Sequence, residues 1–415
     1  MRPSSRPLRT SSRLVPWLLL LAAPALAGEQ VVRSDQELRA AVRALRAGDV
    51  LKIAPGEYQG GVYLEGLTGE PGRPIVVCGQ DPDDPPVFVG GSEALHLVRP
   101  VHVVLRDLVA RGQSGNGINC DDGGRREAPV AGLVLERVQV FHVGPRGNHD
   151  ALKLSGIVDF QVRECAFEGW GGSAIDMVGC HRGEIVGCTF RGVPECSQDS
   201  GVQCKGGTSQ VKVLGCTFRG AGQRALNLGG STGLDFFRPA DAPHEAKDLH
   251  VEGCRFEGSD APIAFVGVDG AVVRRCTFLR PRLWAARILQ ESRGERFVPC
   301  RGGVFEENLV VLEPGLRRLV NVGDGTAADT FSFRRNWWFV EGGGPDRRAQ
   351  ELPVTEIGGT WGRDPRLDPE SLRLSKDSPA RGLGADAWTP EAAPAPGSQG
   401  GAAGPGKRRR PRRVQ

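Results

Sequence analysis

Apolar and polar residues alternate with a period of two over short stretches, most clearly between residues 148 and 233. Four of these stretches end in glycine, at 151–156, 174–179, 201–206 and 225–230. Period two sends successive side chains to opposite faces of an extended chain, so each stretch predicts a strand rather than a helix. Between them stand Cys-x-Phe triplets beginning at Cys165, Cys188 and Cys216, and two more follow at Cys254 and Cys276. Successive cysteines are 23, 28, 38 and 22 residues apart, which is the range in which one repeat is one turn of a solenoid. Short strands with glycine corners at that period describe the coils of a parallel β-helix, an all-β solenoid in which each coil contacts only its neighbours.

Stacking the coils on Gly156, Gly179, Gly206, Gly230 and Gly267 gives a register. Two residues before each glycine stand Leu154, Met177, Cys204, Leu228 and Phe265, and four before stand Leu152, Ile175, Val202, Leu226 and Ile263. Both columns are apolar and are expected in the core. The column between them reads Lys153, Asp176, Gln203, Asn227 and Ala264, with Asn119 one coil earlier. It faces solvent as a polar stripe. Strands at 74–78, 87–89 and 101–105 begin the coils, and Leu108 and Val138 precede Cys165 in its column. Asn308 and Asn336 continue that column beyond Cys276.

The ends differ from the body. Residues 1–27 carry Arg2, Arg6, Arg9 and Arg13, then an apolar run from Leu14 and Ala25-Leu26-Ala27, the pattern of a secretory signal peptide. The run is too short to span a membrane, so the expected protein is exported: secreted, periplasmic or on the cell surface. Residues 34–48 read as a helix N-capped by Ser34, with Leu38, Val42 and Leu45 as its apolar stripe. A helix there would cover the first coil's open strand edges. The β-helix domain is expected over 28–390, with insertions at 231–248 and 280–302 and a closing turn between Asp364 and Ala380. Residues 391–415, ending in a basic run from Lys407 to Arg413, lack apolar residues to bury and are expected to be disordered.

Composition removes some functions. The formal charge is +4, but the leader contributes +4 and the tail +5, which leaves −5 on the body. A nucleic-acid-binding body is therefore not expected. Eleven cysteines are an odd number, and five share one ladder position, which repeat geometry explains better than disulfides do. Cys120 and Cys204 also point inward; among Cys78, Cys180, Cys196 and Cys300 one bridge remains open. No Cys-x-x-Cys indicates zinc.

The stripe carries the candidate chemistry. Lys153, Asp176, Gln203 and Asn227 lie one above another, Lys205 shares their face, and His149 and Asp150 precede the first strand. Asp199 precedes the third strand and Arg224 the fourth. Carboxylates and amides beside a lysine and an arginine suit an acidic polysaccharide. A cation or arginine neutralises the uronate carboxylate, and a lysine removes the adjacent carbon-bound proton for β-elimination. Asp150 with Asp176 is the one carboxylate pair on this face for glycoside hydrolysis. The Lys153–Asp176 pair also reads simply as a surface ion pair. Trp170, Trp284, Trp337 and Trp338 read either as sugar platforms or as packing, and Tyr58 and Tyr63 lie near the cap.

The capping helix, Pro55-Gly56-Glu57-Tyr58, the 69–76 segment and the coils together resemble right-handed parallel β-helix proteins, particularly the polysaccharide lyases that include chondroitinase B and alginate lyase. Gln203-Cys204-Lys205-Gly206-Gly207 is similar to that family's lysine strand. The resemblance implies Lys205 as base and Arg224 as the assisting charge. It implies Lys153, Asp176, Gln203, Asn227 and His149 as substrate contacts, and calcium near Asp150, Asp176 and Asp199. The family's calcium-holding glutamates are replaced here by Gln198 and Ser200. His149-Asp150 is similar to part of a motif of β-helix mannuronan epimerases. The expectation is a monomeric, secreted carbohydrate-active protein, lyase-like toward an acidic polysaccharide. The alternative is a non-catalytic glycan-binding or surface structural β-helix.

Overall fold

A computed structural model describes residues 28–128, 130–343 and 348–389. The expected signal peptide and basic tail lie outside the described residues. The rest is a parallel β-helix of three long sheets, of ten, twelve and fourteen strands. The ten-stranded sheet contains β1 (Val62–Glu65), β2 (Leu95–Val98), β3 (Ile118–Asp121), β4 (Leu152–Ser155), β5 (Ser173–Val178), β6 (Ser200–Lys205), β7 (Arg224–Gly229), β8 (Ala261–Val266), β9 (Trp284–Leu289) and β10 (Arg318–Val322). They pair in chain order, all parallel.

The core columns fall where period two places them. Leu152, Ile175, Val202, Leu226 and Ile263 are fully buried, as are Leu154, Met177, Leu228 and Phe265. On the twelve-stranded sheet the phenylalanines of the Cys-x-Phe triplets stack inside the coil. Phe190 and Phe218 rings lie 4.5 Å apart and nearly parallel, and Phe218 and Phe256 lie 4.7 Å apart. Cys165, Cys188, Cys216, Cys254 and Cys276 form one buried file. Each thiol donates to the carbonyl two residues earlier, as Cys216 does to Leu214 at 3.4 Å. Asn308 and Asn336 extend the file, with Asn336 Oδ1 accepting from the Asn308 backbone N–H at 3.0 Å. All eleven cysteines are free and buried, and no bridge forms among Cys78, Cys180, Cys196 and Cys300.

Three expectations are corrected. The helix α1 spans only Asp35–Ala41, capped by Ser34, and a strand at Glu29–Val32 precedes it and joins the fourteen-stranded sheet. Leu38 and Val42 are buried and Leu45 is half-buried, so the apolar stripe still covers the first coil, although the chain leaves the helix nearly two turns early. The insertion expected at 280–302 is mostly not one: β9 occupies part of it as a regular coil strand, and the true excursion is the loop that follows Leu289 and ends at Arg301. Arg224 opens β7 rather than preceding it. At the far end the chain folds back across the twelve-stranded sheet, where the Trp388 ring covers the corners at Gly215 and Gly253 and Arg255 pairs with Asp386 at 2.6 Å.

The 231–248 insertion folds backward along the corner that follows β4, β5 and β6. Its Arg238 reaches the buried Asp122 with two hydrogen bonds, of 2.6 and 2.9 Å, across 116 residues of sequence. Gly179 makes this passage possible. It sits at φ +62°, and a Cβ there would stand 2.4 Å from Arg238 Cβ. Glu245, fully buried, anchors the loop by accepting from the N–H groups of Gly206 and Thr232 and from the hydroxyls of Thr232 and Ser292. Phe237 packs on Phe297 from the second excursion, with the Arg296 guanidinium 4.4 Å over its ring. The two excursions therefore make one wall beside the ten-stranded sheet.

Candidate functional site

The outward column of the ten-stranded sheet reads, in register, Tyr63, His96, Asn119, Lys153, Asp176, Gln203, Asn227, Ala264, Arg287 and Asn321. Neighbours in a parallel sheet are about 4.8 Å apart, so polar side chains there meet directly. At its centre Asp176 is fully buried beneath two lysines. Lys153 Nζ bonds Asp176 Oδ2 and lies 3.3 Å from Asp150 Oδ2. Lys205 Nζ stands 3.3 Å from Asp176 Oδ1, close enough for charge pairing but not aligned as a hydrogen bond, which leaves that buried oxygen without a hydrogen-bond donor. Lys205 also approaches Gln203 Oε1 at 3.4 Å, and Ser173 Oγ donates to the same oxygen at 3.3 Å.

Asp150 is held from the strand side, where its Oδ1 accepts from the Ser173 N–H at 2.8 Å. Burial pushes its carboxyl up to about 6, and the Asp176 charge adds to the rise while Lys153 opposes it. The Lys153 ammonium is pulled down by burial, but Asp176 and Asp150 outweigh that and hold it above its ordinary range. Lys153 is thus a fixed cation between two carboxylates.

Further along the stripe, Arg224 Nη1 lies 3.4 Å from Asn227 Oδ1, and its Nη2 pairs with Glu291 Oε1 at 2.6 Å. A continuous polar path therefore runs from Lys205 through Gln203 and Asn227 to Arg224. Arg287, stacked 4.4 Å over Trp284, bonds Asn321 at 3.0 Å. Of the four tryptophans considered, only Trp284 takes this outward face; Trp170, Trp337 and Trp338 are buried. Two expected residues stand apart. His149 is half-buried in the turn before β4, and Asp199 is exposed at the start of β6, with Gln223 Nε2 at 3.5 Å.

The donor set does not fit a divalent cation. Asp150 and Asp176 turn their oxygens to lysine ammoniums, Asp199 lies away from them, and no group of three His, Cys, Asp or Glu side chains with metal-holding geometry occurs among the described residues. A calcium ion would have to displace Lys153 from both carboxylates.

Sequence reasoning missed the N-terminal end of the stripe. His96 is bonded at both ring nitrogens, by Glu93 at 2.9 Å and Asp121 at 2.8 Å, and Tyr63, exposed, meets its ring edge-on at 5.3 Å. Carrying the register of Asn119 one coil back would have found His96, and two back Tyr63. The face itself is open. A cavity of about 550 Å³ lies instead on the twelve-stranded sheet, beside Leu279, Val311 and Phe339, away from these residues.

No family model matches the sequence, and no curated protein does either. Among solved structures the chain is similar to an alginate lyase from Paenibacillus sp. FPU-7, at 15% identity over 81% of this chain and 99% of that one, with a TM-score of 0.50. It is also similar to the GH136 lacto-N-biosidase from Eubacterium ramulus, at 10% identity over 79% of this chain and 64% of that one, again with a TM-score of 0.50. A family 6 lyase specific for mannuronic acid, from the human gut microbiota, aligns at 13% identity over 81% of this chain and 92% of that one, with a TM-score of 0.46. The chain shares with the first two of these proteins the right-handed parallel β-helix. No helix among the described residues is long and apolar enough to cross a membrane.

Proposed function

We propose that the protein is an exported, polysaccharide lyase-like enzyme that cleaves an acidic polysaccharide by β-elimination on the open face of the ten-stranded sheet. The observation that carries this reading is the sharing of one buried carboxylate, Asp176, by two lysines of unequal freedom. A lysine is a base only without its proton, and a neighbouring carboxylate opposes that loss. Lys153, fixed between Asp150 and Asp176, supplies the positive charge that Asp176 needs. Lys205 is then the group free to take the carbon-bound proton beside the uronate carboxylate. Arg224 neutralises that carboxylate when substrate replaces Glu291. Gln203 binds sugar hydroxyls between the two, and Asn227, which is buried rather than facing solvent as expected, orients Arg224 from beneath. No step is assigned to calcium.

The test is a panel of alginate, pectate, chondroitin and heparin-like substrates, followed by the ultraviolet absorbance of the unsaturated product with calcium and with chelator. Lys205→Ala and Lys205→Arg should both lose a factor of order 10² or more, since arginine keeps the charge but stays protonated and cannot accept the proton. Absence of product from every polymer, with glycan binding unchanged in Lys205→Ala, establishes the non-catalytic glycan-binding reading instead.

A further inference from the structure

A second constellation lies on the fourteen-stranded sheet, where the 231–248 excursion overhangs it. His181, Ser209, Lys247, Asp269 and Arg301 stand in register on its outward face. His181 Nδ1 and Ser209 Oγ are 2.8 Å apart. In the tautomer that carries its proton on Nε2, Nδ1 accepts from the serine hydroxyl. Arg238, immobilised by Asp122, holds the excursion beside the ring.

Both side chains line a cavity of about 380 Å³, closed on one side by Pro239, Ala242 and Pro243 of the excursion. Burial lowers the proton affinity of His181, and the neighbouring Arg182 and His244 charges act in the same sense, so the ring is neutral where a base is needed. The Lys247 side chain borders the cavity one strand beyond Ser209 and makes no hydrogen bond or close ion pair among the described residues, the neighbouring Asp269 being taken by Arg301. Neighbouring strands are about 4.8 Å apart, so this half-buried lysine lies beside the serine on the ladder and is placed to meet negative charge developing there.

We propose that Ser209 and His181 form a second catalytic site, an acyl-transfer dyad that hydrolyses short O-acyl esters in this cavity. Ser209 Oγ adds to the ester carbonyl carbon as its proton passes to His181 Nδ1, and the resulting oxyanion faces Lys247. The bond from carbon to the alcohol oxygen then breaks, and His181 returns the proton to the departing alcohol. Water, deprotonated by the same nitrogen, adds to the acyl-serine and releases the carboxylic acid and free Ser209. Gln210, Asp241, His244 and Asp248 make the rest of the lining largely polar, which favours an acetyl-sized group over a long apolar acyl chain. The site shares no residue with the lysine face, so its failure leaves that reading untouched.

The experiment uses the full chain with p-nitrophenyl acetate and p-nitrophenyl octanoate as substrates and a fluorophosphonate as the covalent probe. Acetate should turn over faster than octanoate, and mass spectrometry should find the probe on the peptide holding Ser209. Ser209→Ala should abolish labelling and lower turnover by about 10²-fold or more, and His181→Gln should do so with an unchanged melting temperature. Lys205→Ala should leave both signals intact. Absence of labelling on a protein that melts cooperatively, or turnover unchanged in Ser209→Ala, overturns the proposal.

Discussion

Lys205 and Asp176 face each other at 3.3 Å across one step of the parallel sheet, while Lys153 takes the other oxygen of the same carboxylate. Two ammoniums, each mostly covered, thus depend on one fully buried anion. Removing one partner of such a cluster leaves charge buried without compensation, which typically costs roughly 3–5 kcal/mol. Asp176→Asn should lower the denaturant midpoint accordingly with an unchanged m-value. A loss below about 1 kcal/mol, as for an exposed pair, would mean that water reaches the cluster.

The cysteine file makes a separate prediction about the core. The thiolate is the reactive form, and burial pushes the Cys165, Cys188, Cys216 and Cys254 thiols of the file well up; outside the file it pushes Cys180 up to about 12 and Cys300 to about 11. A thiol reagent at neutral pH should therefore leave the native protein almost unlabelled and find eleven groups after denaturation without reductant. Cys196, the least buried, should react first. Ready labelling of Cys188, Cys216 or Cys254 in the native state would show that the coil register is wrong.

Much of this was legible because a solenoid repeats its neighbourhoods. Period two alone places Lys153, Asp176, Gln203 and Asn227 in one column, since each coil aligns with the next. The corner before the cysteine file was half legible. Its left-handed residues include Gly187, Gly215 and Gly253, but also Arg137, Glu164 and Arg275, whose identity does not announce a positive φ. What sequence could not give are contacts made by excursions, because these obey no period. The Arg238–Asp122 pair, the approach of Arg238 to His181 and the Glu291–Arg224 pair all join residues from loops to coils far away in sequence.

The corner glycines are where the excursion and the coils must agree, and two positions separate the reasons. Gly179 and Gly258 have nearly the same positive φ, but a Cβ at Gly179 meets Arg238 at 2.4 Å, whereas at Gly258 the nearest atom is 3.8 Å away. Gly258→Ala should cost only the backbone term, roughly 1–2 kcal/mol. Gly179→Ala should cost more and also lift the 231–248 excursion off the coils, breaking the Arg238–Asp122 pair. Limited proteolysis checks it: cleavage within 231–248 should accelerate in the Gly179 variant alone.

The last prediction concerns pH. Asp150 ionises in the folded protein at about 6 against an ordinary value of 3.8, burial being the largest cause and the charge of Asp176 the next. The folded state therefore holds a proton that the unfolded state has released, and stability falls with rising pH where the folded state binds more protons. The contribution is complete below about 3.8 and is lost as pH rises through about 6. A difference of this size corresponds to roughly 3 kcal/mol at most. The raised affinity of Lys153 acts elsewhere, favouring the folded state until pH passes the ordinary lysine range. Asp150→Asn keeps an oxygen to accept from the Ser173 N–H and removes the titration. Denaturant unfolding from pH 4.5 to 7 should therefore give a downward slope in the parent that flattens in Asp150→Asn. Subtracting the two removes the contribution of other carboxylates that burial raises, such as Asp199 and Glu356. Parallel curves for the two proteins would mean that water and Lys153 together offset the burial of the Asp150 carboxylate.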